Sequence, residues 1–436
     1  MAARGPLECS TDAGLASVRL ALGSLAPHPS MSIPRSTHVV DYRAWQRVTV
    51  RVSDREYTVA TKPGVFAHGR EDTGALLLAE QARVNAGDVV VHLNCGTGLF
   101  GAVAASGSAA RGSAARVLLA DRNVLAVEAA RRTLDLNAGA ARASVALGHG
   151  AQALPAGVVA DVVAVRIPHE KLALLQLVHD AFGLLRTGGR CYLAGATNEG
   201  AKSAAKLLER VFGRSGVVAT GGGHRVLVAI KTSDTVADPT ELASPYLAPD
   251  AFHTLDVSLG SQPLTLFTRP GVFSWEHLDE ATAILAATME VRAGERVLDL
   301  GCGSGALGTV AARASGTGRV VMVDADVEAV RSATRTAAVA GAPNAVAMTS
   351  DVAGAVLGEQ FDVVVTNPPF HVGKATDLDV PQQFIHDAWQ VLAPGGRLYL
   401  VANRTLPYER VVFQRFGNIA TAFDGARFKV LSAERQ

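Results

Sequence analysis

The chain repeats itself. "TKPGVFAHGREDTGALLLAEQARVNAGDVVVHLNCGTGLFGAVAA" begins at Thr61, and "TRPGVFSWEHLDEATAILAATMEVRAGERVLDLGCGSGALGTVAA" begins at Thr268. The two align without a gap at an offset of 207, pairing Pro63 with Pro270, Gly87 with Gly294, Gly96 with Gly303 and Gly98 with Gly305. Later segments pair with small shifts: "LLADRNVLAVEAARR" with "VMVDADVEAVRSATR", "ADVVAVRIPHE" with "FDVVVTNPPFH", and "LLRTGGRCYLAG" with "VLAPGGRLYLVA". Chance identity over such lengths is negligible, so one domain has been copied in tandem. We expect the first copy over residues 31–235 and the second over 236–436. The joint falls near "KTSDTVADPTELASPYLAPD", rich in Pro, Ser, Thr and Asp. Residues 1–30 precede a second methionine, Met31, and read as a disordered tail or a misassigned start.

Within each copy, apolar runs alternate with helical patterns. In the second copy the pattern predicts strands over 296–300, 319–323, 361–366 and 397–401, with helices over 305–314, 327–340 and 381–392. Such alternation predicts an α/β fold: two tandem domains, each a mostly parallel twisted sheet with helices on both faces. Ligands of these sheets sit at the carboxyl ends of the strands.

Composition excludes several classes. Hydrophobic content is 48% and no stretch approaches the roughly 18 apolar residues of a membrane span. No basic segment followed by an apolar core opens the chain, so a cytoplasmic protein is expected. Cys9, Cys95, Cys191 and Cys302 are far apart and form no C-x-x-C pair, which argues against a metal site or a disulfide framework. The net charge of +1 hides an asymmetry. Through Thr235 there are 26 Lys+Arg against 18 Asp+Glu, a net +8, and the remainder has 15 against 22, a net −7. A basic half joined to an acidic one suggests that the basic half meets a polyanion. Arg131, Arg132, Lys202, Lys206 and Arg210 fall on helical stretches and are candidates for one phosphate-facing surface.

"VLDLGCGSGALG", residues 297–308, reads as a strand, a glycine turn and a helix. Gly301, Gly303 and Gly305 let the backbone approach a ligand and expose amides at a helix N-terminus. Alone, this fits a dinucleotide loop or a tight turn. Three acids sharpen it. Asp299 lies inside the strand end, where a carboxylate suits a cationic ligand. Asp324 ends the next strand, where it can take both hydroxyls of a ribose. Asp351, at the end of the third strand, can accept an adenine amino group. Together they fit a cationic nucleoside that carries an amino acid, S-adenosylmethionine. At this point the second copy resembles the class I S-adenosylmethionine-dependent methyltransferases, whose order of glycine turn, strand-ending acid and N-P-P-F it follows.

"TNPPF", residues 366–370, follows a strand that two prolines must end. In that family the loop resembles those that methylate amino groups on planar π systems. The exocyclic amine of a base is a poor nucleophile, because its lone pair is delocalised into the ring. The Asn367 side-chain oxygen and the Pro368 carbonyl can accept its two hydrogens and aim the lone pair at the methyl group. Pro368 and Pro369 stiffen the loop, and Phe370 can stack on the ring. The loop alone does not choose among adenine N6, guanine N2 and a glutamine amide. "RPGVFS", "TNPPFHVGKATDLDVPQQFI" and "ARFKVLSA" resemble the RsmC-type ribosomal RNA methyltransferases, themselves tandem duplications. The resemblance implies guanine-N2 methylation of 16S rRNA, as naked RNA or in the 30S subunit, by a monomeric enzyme. It also implies that Phe273 and Asn367 join the cofactor set. Guanine-N2 methylation of large-subunit rRNA, glutamine methylation and a non-catalytic RNA-binding assembly factor stay open as alternatives.

The first copy has lost these groups. His92 stands opposite Asp299, Asn94 opposite Gly301, and Arg166-Ile167-Pro168-His169 opposite the Asn-Pro-Pro-Phe loop. Asp121 survives opposite Asp324. The first copy should be catalytically silent, binding rRNA phosphates at a site separate from the second copy's cofactor site or supporting the second copy. His92 is expected as a satisfied strand-end histidine rather than a catalytic one.

Overall fold

The computed structural model describes residues 41–107, 115–260, 262–369 and 379–436. Residues 1–30, Met31 and Phe370 lie outside the described residues. Two seven-stranded sheets form, one per copy, with the same order. In the second copy this order runs Ala345–Thr349, Val320–Asp324, Val297–Leu300, Phe361–Thr366, Leu392–Asn403, Phe428–Glu434 and Ala420–Asp424. The first five strands are parallel and the last two pair antiparallel at the edge. The first copy repeats this from Ala143–Leu147 through Val89–Leu93 and Ala160–Arg166 to Gly216–Gly221.

The elements follow from the sequence. Val297–Leu300 is buried throughout and Phe361–Thr366 almost so, because helices cover both faces. A parallel sheet buried on both faces reads as a continuous apolar run. Each sheet therefore separates two apolar clusters, one on each face. The strand Leu392–Asn403 is longer than the expected 397–401, since residues before the Pro-Gly-Gly bend already pair with Phe361. Asp351 lies two residues beyond its strand, which ends at Thr349, and not at the strand end.

Each copy opens with an antiparallel hairpin, Gln46–Val52 with Arg55–Thr61 and His253–Leu259 with Gln262–Thr268. The hairpins dock alike. The Ala60 amide donates to Thr133 Oγ1 at 3.1 Å, and the Phe267 amide donates to Thr336 Oγ1 at 3.0 Å.

Asp41–Gln436 form one compact unit, in which the copies meet through equivalent loops. The Val124 amide donates to the Ala325 carbonyl at 2.9 Å, and the Val327 amide donates to the Arg122 carbonyl at 2.9 Å. Such reciprocity is the signature of an approximate twofold axis between like surfaces. Arg122 clamps Asp326 with two hydrogen bonds of 2.8 and 2.6 Å. These loops follow the second strand of each sheet, so the joint lies beside the strand ends of both copies.

Candidate active site

In the second copy the strand order reverses between Val297–Leu300 and Phe361–Thr366. At such a point the chain departs in opposite directions and leaves a crevice. Thr366 Oγ1 donates to the Leu300 carbonyl at 2.7 Å and ties the two strand ends together. The glycine turn and Asn367 leave from there.

Gly303 adopts φ +52, and a Cβ on it would meet nothing within 4 Å, so the backbone is bare toward the crevice. Gly305 adopts φ +80 where a Cβ would stand 2.8 Å from Ala333 Cα, so the turn allows two helices to touch. Gly301, φ +81, faces Phe384. The Gly303 amide donates to Asp324 Oδ2 at 2.9 Å, and the Asp326 amide donates to Asp324 Oδ1 at 3.0 Å. Burial, reinforced by the Asp326 charge, raises Asp324 to about 6. Each carboxylate oxygen keeps a second lone pair.

Asp299 differs from its expected role of facing the ligand. It is fully buried and does not line the crevice. Its Oδ2 accepts from the Gly308 amide at 2.7 Å, while Oδ1 has no partner among the described residues. Burial, with Asp324 adding to it, pushes its carboxyl up to about 7. It lies beneath the glycine turn and braces the helix start.

Asn367 is held by groups that sequence reasoning missed. Its Nδ2 donates to Asp279 Oδ2 and to Thr282 Oγ1, both at 2.9 Å. Asp279 also caps the helix Glu280–Thr288, accepting from the Thr282 amide at 2.8 Å. With both amide hydrogens engaged, Asn367 Oδ1 is held in place, buried and with no partner among the described residues. The Asp-x-x-Thr spacing announced a helix cap, but nothing local revealed its third bond. Pro368, Pro369 and Phe273 line the same crevice, Phe273 with 65% of its surface exposed.

Asp351 also has unforeseen partners. Tyr42 donates to its Oδ1 at 2.8 Å, and Lys62 pairs with its Oδ2. Both come from the first copy and both are buried. Lys62 is the counterpart of Arg269, which is 1% exposed and pairs with Glu328 while donating to Gln176 of the first copy at 3.2 Å. The repeated K-P-G and R-P-G held the clue, a cation kept before Pro-Gly in both copies.

The first copy keeps the frame and lacks the functional atoms. Asp121 accepts from the Gly96 and Asn123 amides at 2.9 Å each, the bonds that Asp324 makes. Its survival is thus explained by turn geometry. Asn94 holds the left-handed backbone of Gly301 at φ +53, which asparagine tolerates. His92 is buried and held down to about 3 by burial and then by Arg166. It packs edge-on against Phe100 at 5.2 Å. Contrary to expectation its Nδ1 is unsatisfied among the described residues.

Gly96, Asp121 and Arg166 line the same cavity as Gly303, Asp324 and Asn367, with a volume of about 1170 Å³. One further expectation is corrected: the five basic residues do not share a surface. Arg131 and Arg132 lie on Val124–Asp135, while Lys202, Lys206 and Arg210 lie on Ala201–Phe212, and these helices pack on opposite faces of the sheet. Arg132 and Arg210 are also paired with Glu128 and Glu241. No helix among the described residues is long and apolar enough to cross a membrane.

Fold and site together define a class I S-adenosylmethionine-dependent methyltransferase built as a tandem pair. The Methyltransferase small domain family matches twice, over residues 56–228 and 263–432. Ribosomal RNA small subunit methyltransferase C of Hahella chejuensis is 34% identical over 284 residues, 65% of this chain and 80% of that one. Its namesake from Chromohalobacter salexigens is 40% identical over 199 residues, 44% of this chain and 57% of that one. The solved T. thermophilus 16S rRNA N2 G1207 methyltransferase (RsmC), in complex with AdoMet and guanosine, matches at TM-score 0.72 and 30% identity over 90% of this chain and 98% of that chain. The chain belongs to the ribosomal RNA small subunit methyltransferase C family.

Proposed function

We propose that the protein transfers a methyl group from S-adenosylmethionine to the exocyclic N2 amine of a guanine in 16S rRNA, with the chemistry confined to the second copy. The observation that carries this is the buried Asn367 Oδ1, without a partner among the described residues, whose amide nitrogen is held at 2.9 Å by both Asp279 and Thr282. An orphaned buried acceptor costs about 1–3 kcal/mol, and a donor amine removes that cost.

The residues present suit the cofactor. Asp324 and Asp351 would take its ribose and adenine, the Gly301–Gly305 turn would pass along its amino-acid part, and Asp299 would favour its cationic end from below. When bound, it supplies an electrophilic methyl on a sulfonium. Asn367 Oδ1 and the Pro368 carbonyl would accept the two amine hydrogens, turn the nitrogen lone pair toward the methyl and stabilise the positive charge that develops on nitrogen. The product ammonium is acidic and sheds its proton readily, so positioning supplies most of the rate. Phe273, Pro369 and Phe370 would hold the base plane.

The test is mass mapping of methylated guanosines in rRNA from cells with and without the protein, paired with labelling of purified 30S subunits, 50S subunits and naked 16S rRNA. We expect loss of one N2-methylguanosine from 16S rRNA and label in 30S subunits or 16S rRNA. Label in 50S subunits, or in a protein glutamine instead, would contradict the reading.

A further inference from the structure

The helix Glu280–Thr288 opens as its counterpart Thr73–Gln81 does. At the gapless offset, Asp72 pairs with Asp279 and Ala75 with Thr282. Each aspartate caps its helix. Asp72 Oδ1 accepts from the Ala75 amide at 3.0 Å, and Asp279 Oδ2 accepts from the Thr282 amide at 2.8 Å. Capping therefore accounts for an aspartate in both copies. It does not account for the threonine, because the first copy's helix starts in the same way with an alanine there.

The Thr282 hydroxyl is used elsewhere. It donates to Asp279 Oδ2 at 3.0 Å and accepts from Asn367 Nδ2 at 2.9 Å. Asn367 Nδ2 also donates to Asp279 Oδ2 at 2.9 Å, which closes a triangle of three atoms. The direction of each bond is forced. A carboxylate can only accept. The hydroxyl has one hydrogen, spent on that carboxylate, so toward the amide it can only accept as well. Turned over, Asn367 would set its oxygen against a carboxylate oxygen with no hydrogen between them. An amide's nitrogen and oxygen share one rigid plane, so holding Nδ2 fixes Oδ1. The threonine occurs in the copy that has Asn367, and the alanine in the copy that has Arg166 at the equivalent place.

We propose that Thr282 and Asp279 are positioning residues that set which way the Asn367 amide faces, so that the loop offers the substrate an oxygen and never an NH2. This rests on the reading of Asn367 as an acceptor given above. With the Pro368 carbonyl beside it, the site then offers acceptors alone, which takes an amine and refuses a carbonyl in the same place. The carboxylate behind the amide also polarises it and leaves more negative charge on Oδ1, where positive charge develops on the substrate nitrogen.

The experiment uses the full chain and steady-state methylation of 30S subunits or 16S rRNA, whichever the wild type labels. Thr282→Val removes the hydroxyl and leaves no room for a water in its stead. Loss of this bond should lower kcat roughly tenfold, with KM for the RNA substrate, S-adenosylmethionine affinity by calorimetry and melting temperature all close to wild type. Thr282→Ser should restore most of kcat. Asp279→Asn keeps a capping side chain and should lower kcat in the same way. In an Asn367→Ala background, Thr282→Val should cost nothing further, since an orienting group has no task once the amide is gone. Wild-type kcat in Thr282→Val would overturn the proposal, as would a Ser variant that falls as far as the Val variant. A loss that adds in full to that of Asn367→Ala would also overturn it, because Thr282 would then act independently of the amide. Thr282→Ala, which carries the first copy's residue at this cap, serves if the Val variant does not fold. Wild-type turnover in Asn367→Ala would sink the parent reading; an inactive Asn367→Ala beside a fully active Thr282→Val sinks this one alone.

Discussion

The two copies hold the same backbone to different ends. Asp121 and Asp324 brace the same turn with the same pair of 2.9–3.0 Å bonds, and Asn94 takes the left-handed conformation that Gly301 takes. What differs is what the frame presents. At the end of the fourth strand in chain order, one copy offers an amide oxygen and the other a guanidinium. Under the turn, one has a carboxyl and the other an imidazole. Turn geometry and ligand chemistry are separable, and duplication preserved the first while replacing the second. The copies also depend on each other, since Lys62 and Tyr42 of the first hold Asp351 of the second.

The largest expected effect is on a buried ion pair of the second copy, whose arginine also reaches Gln176 of the first. Arg269 and Glu328 are 1% and 2% exposed, and removing one partner of such a pair costs about 3–5 kcal/mol. Arg269→Met should lower the melting temperature well beyond what Lys62→Met does at the equivalent position, where Asp351 is 24% exposed. Equal shifts would show that the two crossing cations are interchangeable.

Asn367→Ala separates chemistry from binding. It removes one preorganised acceptor and leaves the Pro368 carbonyl, so kcat on 30S subunits should fall about 10²–10³-fold, with cofactor affinity within a few-fold of wild type. A variant that turns over normally would reduce the second copy's loop to a turn, like the first copy's.

Lys62→Met tests whether the first copy helps to bind cofactor. Asp351 would lose a charge-assisted bond, of a class worth about 1.5–3 kcal/mol, and with it a fixed orientation. Cofactor affinity should fall roughly tenfold by calorimetry. An unchanged affinity would make this contact interface packing alone.

Acidity should move the copies in opposite directions by a smaller amount. Asp299 is raised in the fold to about 7, so its stabilising contribution is present below the ordinary aspartate value and is lost as pH rises through about 7. His92 is lowered to about 3, so its neutral burial costs nothing above the ordinary histidine value of 6.5, and stability is lost as pH falls below it. His92→Phe should therefore flatten the acid limb of thermal stability between pH 6.5 and 4, and Asp299→Asn the limb near pH 7. A cationic ligand favours ionised Asp299 and Asp324, so S-adenosylmethionine affinity should weaken from pH 8 to pH 6. A flat titration would remove Asp299 from the ligand's field.

Much of the fold was legible because repetition doubled the signal. The glycine turn, the strand-ending acid and the Asn-Pro-Pro loop are local patterns, and each falls at the crevice. What was not legible is tertiary. Asp351 reads as an acid near a strand end, but its partners lie 309 and 289 residues away in the chain. Asp279 reads as a helix cap, and its hold on Asn367 spans 88 residues. The five cations read as candidates for one surface, yet the strand order reverses between their two helices, which places Val124–Asp135 on one face of the sheet and Ala201–Phe212 on the other. Asp299 read as facing a ligand because it stands at the strand end before the glycine turn, but it is fully buried and its carboxylate accepts from the Gly308 amide.

The central claim is that the second copy binds cofactor and the first does not. Titration of the full chain with S-adenosylmethionine by calorimetry tests it most directly. The account requires a stoichiometry near one per chain, and Asp324→Ala but not Asp121→Ala weakening the binding beyond its effect on stability. A stoichiometry near two, with both substitutions removing one site each, would contradict it.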